Sequence, residues 1–311
     1  MIKYLYYSVL ILLVGCCAAC TRNEDGDVHA TDLDLDWFVV SDDYDNPIDS
    51  LRYEIFKQHR VPVYYDDTIG CMDRGEKDRA GNTVLFYRVI RPDYTITGYN
   101  SNLSWQEVEN KEELETVLNV LLHHTFDKYP VQLLPRCLYL VRKLDARTGG
   151  ILSFLHAMEC GVVNIDDRFL KTDETSLAAE GITLKCEMGA GALEKFYEDE
   201  LEYDFYAISR NLYNSIYSQS LANFVSGENG APKDLYKEGD DPRKFGFMRY
   251  SATKVQTAAP RMVNKEEDAR DFIKLILTKT LEEVQEEHEA YPLVIQKYEA
   301  MKRIWEMAIE H

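Results

Sequence analysis

The hydrophobic period changes along this chain, and that change restricts what it can fold into. Up to residue 165 the apolar residues come in short runs, at 60–65 (RVPVYY), 83–90 (TVLFYRVI), 138–141 (LYLV) and 161–165 (GVVNI), which read as strands. From residue 193 onward the spacing is helical. A helical pattern covers 193–225. A helix over 265–289 carries Phe272, Ile276, Leu281 and Val284, and a last one over 293–309 carries Leu293, Tyr298, Met301, Ile304 and Trp305. Two helices are expected earlier. One spans 48–59 with Leu51, Ile55 and Phe56. The other spans 105–126, with Ser104 as its cap and Val108, Leu114, Val117, Leu118, Leu121 and Leu122 on its apolar face. Pro130 and Pro135 follow it. Residues 66–82 and 227–244 are charged or polar and read as loops. Strands early and helices late imply an α+β fold: a small N-terminal mixed sheet with helices, then a helical C-terminal half, in one domain over 37–311.

The first residues speak to compartment. Met1, Ile2 and Lys3 are followed by eleven residues, 4–14, that are mostly apolar. That suits a signal peptide over 1–15, and is far short of the roughly 20 residues a spanning helix needs. Leu13-Val14-Gly15-Cys16 resembles a bacterial lipobox, which makes Cys16 the expected lipidation site, with Cys20 as the alternative. Lipid on the new N-terminus would anchor the chain to a membrane. Residues 16–36 then form a lipidated acidic tether containing Glu24, Asp25, Asp27, Asp32, Asp34 and Asp36. Cys71, Cys137, Cys160 and Cys186 remain for the domain. In an oxidising compartment they could pair in three ways, and all three stay open.

The charge excludes one class of partner. With 54 acidic against 35 basic residues the net charge is -19, and such a surface repels phosphate backbones, so no nucleic acid is expected. Familiar catalytic motifs are missing too. The seven histidines include no pair spaced four apart, so there is no HExxH, and there is neither a GxSxG elbow nor a Walker loop. His123 and His124 are adjacent. On a regular helix they point about 100° apart, which suits a helix terminus better than one metal ion. His156 sits in an apolar run and reads as a hydrogen-bonded, half-buried side chain.

The late part of the chain carries an ordered set of segments. Phe245-Gly246-Phe247-Met248-Arg249-Tyr250-Ser251-Ala252 precedes Glu267-Asp268-Ala269-Arg270-Asp271-Phe272, then Tyr291-Pro292-Leu293, and then Lys297-Tyr298 leading to Trp305. In order and spacing this resembles the tail of the zinc-binding metallopeptidase family also called substrate import-associated zinc metallohydrolase lipoproteins. Residues 48–65, and the step from Tyr129-Pro130 to Val141, resemble the N-terminal half of the same family. The resemblance implies a zincin-like fold on an outer-membrane lipoprotein, on the periplasmic face or the cell surface, working beside a TonB-dependent uptake receptor.

The family carries HExxH on a helix before the GF segment. The matching helix here would be 212–225, with Gln219-Ser220-Leu221-Ala222-Asn223 in the motif's place. Glu267 would stand for the third ligand and Asp271 for its supporting carboxylate. Amides are poor zinc ligands, and Ser220 cannot act as the base that a glutamate would be. Leu212, Ile216, Gln219 and Asn223 share one helical stripe, which would turn both amides inward to bond Glu267 or Asp271. The alternative is that they lie on an exposed face. The acidic residues at 266–268 also suit a helix start for ordinary electrostatic reasons. The expected function is therefore a degenerate, inactive metallopeptidase-like domain with no cofactor, binding a peptide or glycan as an accessory component of uptake. The competing expectation is an active zinc hydrolase with displaced ligands drawn from His123, His124, His156, Glu159 and Glu267.

Overall fold

The computed structural model describes residues 37–41, 45–95, 98–99, 102–146, 150–170, 173–233, 235–237, 239–251 and 260–310. The expected signal peptide, Cys16, Cys20 and the acidic tether lie outside the described residues.

Helix α1 (Pro47–His59) begins as a helix should: the Asn46 side chain accepts from the Ile48 N–H and Pro47 occupies the first turn. It ends where Arg60 turns left-handed at φ 60°. That cap uses up the start of the strand expected at 60–65, so β1 is only Val63–Tyr64.

The stretch read as a loop at 66–82 is mostly strand. β2 (Thr68–Lys77) pairs antiparallel with β3 (Thr83–Val89) across a turn held by Asp78, whose carboxylate accepts from the Ala80 and Asn82 amides. Among the described residues the two strands pair only with each other, and Val84, Leu85, Phe86 and Tyr87 are all exposed. With neither face on the core, β2 lacks the alternation that marks a strand in sequence.

β4 (Tyr94–Thr95) and β5 (Gly98–Tyr99) form a second small ribbon. β6 (Leu103–Gln106) takes the residues expected to start a helix, and α2 (Lys111–Val120) is capped by Asn110, not Ser104. The helix continues as one wider π-wound turn, Leu121–Thr125. β7 (Leu138–Ala146) is the centre of the sheet, longer than the four residues expected, with Leu138, Tyr139, Leu140 and Val141 fully buried. β8 (Gly150–Ile151) pairs with its end. β9 (Phe154–His156) runs antiparallel to β10 (Gly161–Asn164), and β10 runs parallel to β7, giving the order β1-β7-β10-β9. Mixed pairing beside abundant helix is the expected α+β class.

The helical pattern expected over 193–225 is displaced. The long helix is α3 (Glu174–Phe196), capped by Asp173. It is followed by short pieces at Glu198–Glu200, Leu201–Tyr206 and Ala207–Arg210. α3 is buried over most of its circumference, so only a narrow polar strip, Glu180, Thr183 and Glu187, betrays its period. Two glycines let neighbours touch its backbone: a Cβ at Gly181 would lie 2.4 Å from the His124 Cβ, and one at Gly191 would lie 2.2 Å from the His156 ring.

Residues 211–219 then form turns, with Ser218 at φ 57°, and the next helix, α4 (Leu221–Ser226), is short and closes on left-handed Gly227. The helix expected over 265–289 is two. α5 (Lys265–Thr278) and α6 (Leu281–Glu287) are separated because Thr280 and Glu283 form a second capping box that restarts the winding. α7 (Pro292–Glu310) completes the chain's described part and buries Tyr298, Met301, Ile304 and Trp305.

Candidate functional site

The expected motif segment is not helical through its length. Gln219 and Ser220 precede α4, with Ser220 in extended backbone as its N-cap residue, so the stripe drawn through Leu212, Ile216, Gln219 and Asn223 does not exist. Of these Ile216 is buried, Leu212 is exposed, and the two amides are half-buried. The Asn223 amide donates to the Gln219 side-chain oxygen at 3.1 Å, and among the described residues neither amide bonds Glu267 or Asp271.

Glu267 and Asp271 are held by other partners. Glu267 is the reciprocal member of the capping box that starts α5: one carboxylate oxygen accepts from the Asn264 N–H at 3.0 Å, the other from the Ser251 hydroxyl at 3.0 Å. Arg249 bridges both carboxylates, with Nη1 3.6 Å from Glu267 and Nε 2.9 Å from Asp271. Burial holds the Asp271 carboxyl above its ordinary range, and Arg249 opposes this.

The displaced ligands do not converge. The His124 ring pairs with Glu174 at 2.8 Å, while His123 is exposed on the neighbouring position. The His156 Nε2 bonds the Met188 carbonyl at 2.9 Å on α3, and burial lowers its pKa. Glu159 pairs with Arg88 of β3 at 2.6 Å. Among the described residues no three His, Cys, Asp or Glu side chains stand close enough to share a metal.

The structure instead brings α3 against α5 and opens a groove of about 490 Å³ there. Thr183, Cys186 and Glu187 line one wall, and Glu267, Arg270, Asp271 and Lys274, with Arg249, line the other. Thr183, Cys186 and Glu187 fall on one helical stripe, which Ala190 continues. Glu187 is the unusual member. One oxygen accepts from the Ser153 hydroxyl at 2.5 Å, and the other is buried with no partner among the described residues. Arg168 approaches to 3.9 Å. Burial raises the Glu187 carboxyl above its ordinary range, against the pull of Ser153, Arg168 and Arg270. Cys186 is buried, which pushes its thiol up to about 12, so it stays protonated.

These donors do not fit zinc. A thiol must lose its proton to bind the metal, and both α5 carboxylates already face the fixed positive charge of Arg249. Cys186, Glu187, Arg249 and Arg270 were not among the expected site residues. The available signal was a single glutamate inside the apolar run Leu184, Cys186, Met188, Ala190.

A second hollow, of about 460 Å³, opens where the edge strand β9 meets the end of α3, between His156, Met158, Glu159, Cys160, Lys195 and Phe196. Among the described residues β9 pairs on one side, with β10.

Comparison with family models, with curated proteins and with solved structures gave no match.

Proposed function

We propose that this protein is an envelope lipoprotein whose zincin-like domain binds a ligand and does not cut it, serving as an accessory component of a TonB-dependent uptake system. The lipid anchor and the uptake receptor come from the N-terminal pattern and the family resemblance described above. The site is the α3–α5 groove. In this reading the family's HExxH turn corresponds to Cys186-Glu187-Met188-Gly189-Ala190, not to 219–223. A thiol and a methyl group replace the two imidazoles, and only the glutamate is kept.

One observation carries this reading: the Arg249 guanidinium bridges Glu267 and Asp271 across the groove from Glu187. A permanent cation there neutralises the carboxylates as a metal would, but it offers no Lewis acidity and activates no water. A peptide suits the surroundings. The outer edge of β9, unpaired among the described residues, offers backbone groups to an extended chain, and the neighbouring hollow offers room for its side chains. The mixed sheet, with its antiparallel edge strand lying beside the long α3, supports the zincin-like assignment.

The test is metal content. The full chain is purified in detergent and dialysed without chelator, beside an Arg249→Gln variant. The reading expects less than about a tenth of an equivalent of zinc in the wild type, and a higher content once the guanidinium is removed. Near one equivalent in the wild type overturns it in favour of a working zinc hydrolase.

A further inference from the structure

Cys137 and Cys160 stand side by side at the head of the sheet. β7 and β10 run parallel in the register Leu138 with Gly161 and Tyr139 with Val162, so the residues just before them, Cys137 and Cys160, are also opposite each other. The Gly161 N–H donates to the Cys137 carbonyl at 2.9 Å, which extends the ladder up to the pair. Paired residues on neighbouring strands point to the same face, with backbones about 4.8 Å apart. That lies inside the roughly 4.4–6.8 Å between Cα atoms that a disulfide needs. The side chains are neighbours: Cys137 is the largest influence on the Cys160 thiol, and the Cys137 Sγ donates to the Glu159 carbonyl at 3.6 Å. Both are buried thiols. Of the four cysteines in the domain, Cys71 is exposed on the β2–β3 hairpin and Cys186 is buried in α3.

We propose that Cys137 and Cys160 form a disulfide, selecting one of the three pairings that the cysteine count allows. The reaction is thiol–disulfide exchange with a disulfide-bearing oxidoreductase or a small-molecule disulfide. Cys160, which lines the hollow beside β9, attacks and forms the mixed disulfide. Cys137 then displaces the second sulfur. One Sγ–Sγ bond forms in the protein, one S–S bond breaks in the partner, and the two thiol protons end on the two thiols released. Cys137 and burial together hold the Cys160 thiol far above its ordinary range in the folded chain. Exchange is therefore slow once the sheet has closed, and the bond forms while the chain folds. The linkage joins the start of β7 to the start of β10 and so fixes the wall of the hollow that Cys160 lines. The proposal does not depend on the function assigned to the α3–α5 groove.

The full chain is refolded in a reduced and oxidised glutathione buffer, and in parallel the folded, reduced chain is exposed to oxidised glutathione. Each sample is denatured, alkylated without reductant, digested and mapped by mass spectrometry. The expected result in the refolded sample is a cross-linked peptide joining Cys137 to Cys160, lighter by two hydrogen masses than the two peptides together. It forms at least tenfold faster than in the folded sample, and persists in a Cys71→Ser variant. Full alkylation of both cysteines after refolding, or their linkage to Cys71 or Cys186, overturns the proposal. Equal rates in the two samples overturn the folding-coupled route.

Discussion

Lys297 and Asp268 form an ion pair in which neither side chain has any solvent exposure. The pair joins the first turn of α5 to the second turn of α7. The Tyr217 hydroxyl donates to the same carboxylate oxygen at 2.8 Å, and the lysine also donates to the Ser209 hydroxyl at 3.4 Å. The rings of Phe205, Phe247 and Phe272 stand with their centroids 4.4, 4.8 and 5.0 Å from the ammonium, adding cation–π attraction on three sides. Burial pushes the aspartate up and the lysine down, and each partner opposes the shift of the other.

Removing one member of this pair leaves an uncompensated buried charge. Lys297→Met should lower unfolding free energy by about 3–5 kcal/mol, whereas Lys297→Met with Asp268→Leu should recover much of it. Urea denaturation of the single and double variants measures both. A double variant as unstable as the sum of the singles would show that the two groups are not coupled.

Glu187 gives a pH dependence of fixed sign. Its folded pKa is raised from 4.5 by burial, so the folded chain keeps a proton there that the unfolded chain has released. The stability this contributes is complete below 4.5 and is lost as pH rises through the folded value. Glu187→Gln cannot titrate. Wild-type stability relative to this variant should therefore fall as pH rises above 4.5. Denaturation curves across that range check the slope, and a difference that is flat or rises with pH contradicts the raised value.

Gly191 leaves no room for a methyl group beside His156. Gly191→Ala should cost about 1–3 kcal/mol by forcing the ring off its bond to the Met188 carbonyl. Trimming the ring with His156→Ala should make the glycine substitution much milder, and thermal melts of the four-member cycle read the coupling. Equal costs in the two backgrounds would rule out the contact as the cause.

Thr280 restarts the helix after the break at Lys279. Thr280→Ala removes the side-chain acceptor for the Glu283 amide and should cost about 1 kcal/mol. Thr280→Ser keeps the hydroxyl and should cost markedly less. Guanidinium denaturation midpoints separate the two, and equal losses would place the effect elsewhere than in the cap.

The parts of the fold that were legible in the sequence are those with one wet face and one dry face. α1 and α7 show this, because a half-exposed helix must repeat its apolar residues every turn. β7 showed only its buried core, since its later residues alternate with charges. The parts that were hidden broke that rule in opposite directions. α3 is dry over most of its circumference and interrupted by Gly181, Gly189 and Gly191, so its polar strip is narrow. β2 is wet on both faces, so it shows no alternation. At the site, Glu267 and Asp271 are picked out by the family-like order of segments around them, but the helix opposite them is α3, upstream of the expected 212–225. Residues 212–220 have a plausible helical spacing, yet the left-handed backbone at Ser218 interrupts the winding just before Gln219. Only the packing of α3 on α5 shows that Glu187 is the residue facing them.

The β2–β3 hairpin separates the timescales on which this molecule opens. Its amides are bonded within a ribbon that joins no larger sheet among the described residues, whereas those of β7 are bonded on both sides. Two strands alone hold together only marginally in water. The hairpin can therefore fray and reclose many times while the central strand stays shut. Deuterium should enter residues 68–89 at nearly the rate of unstructured peptide, and enter 138–141 only when the whole domain unfolds.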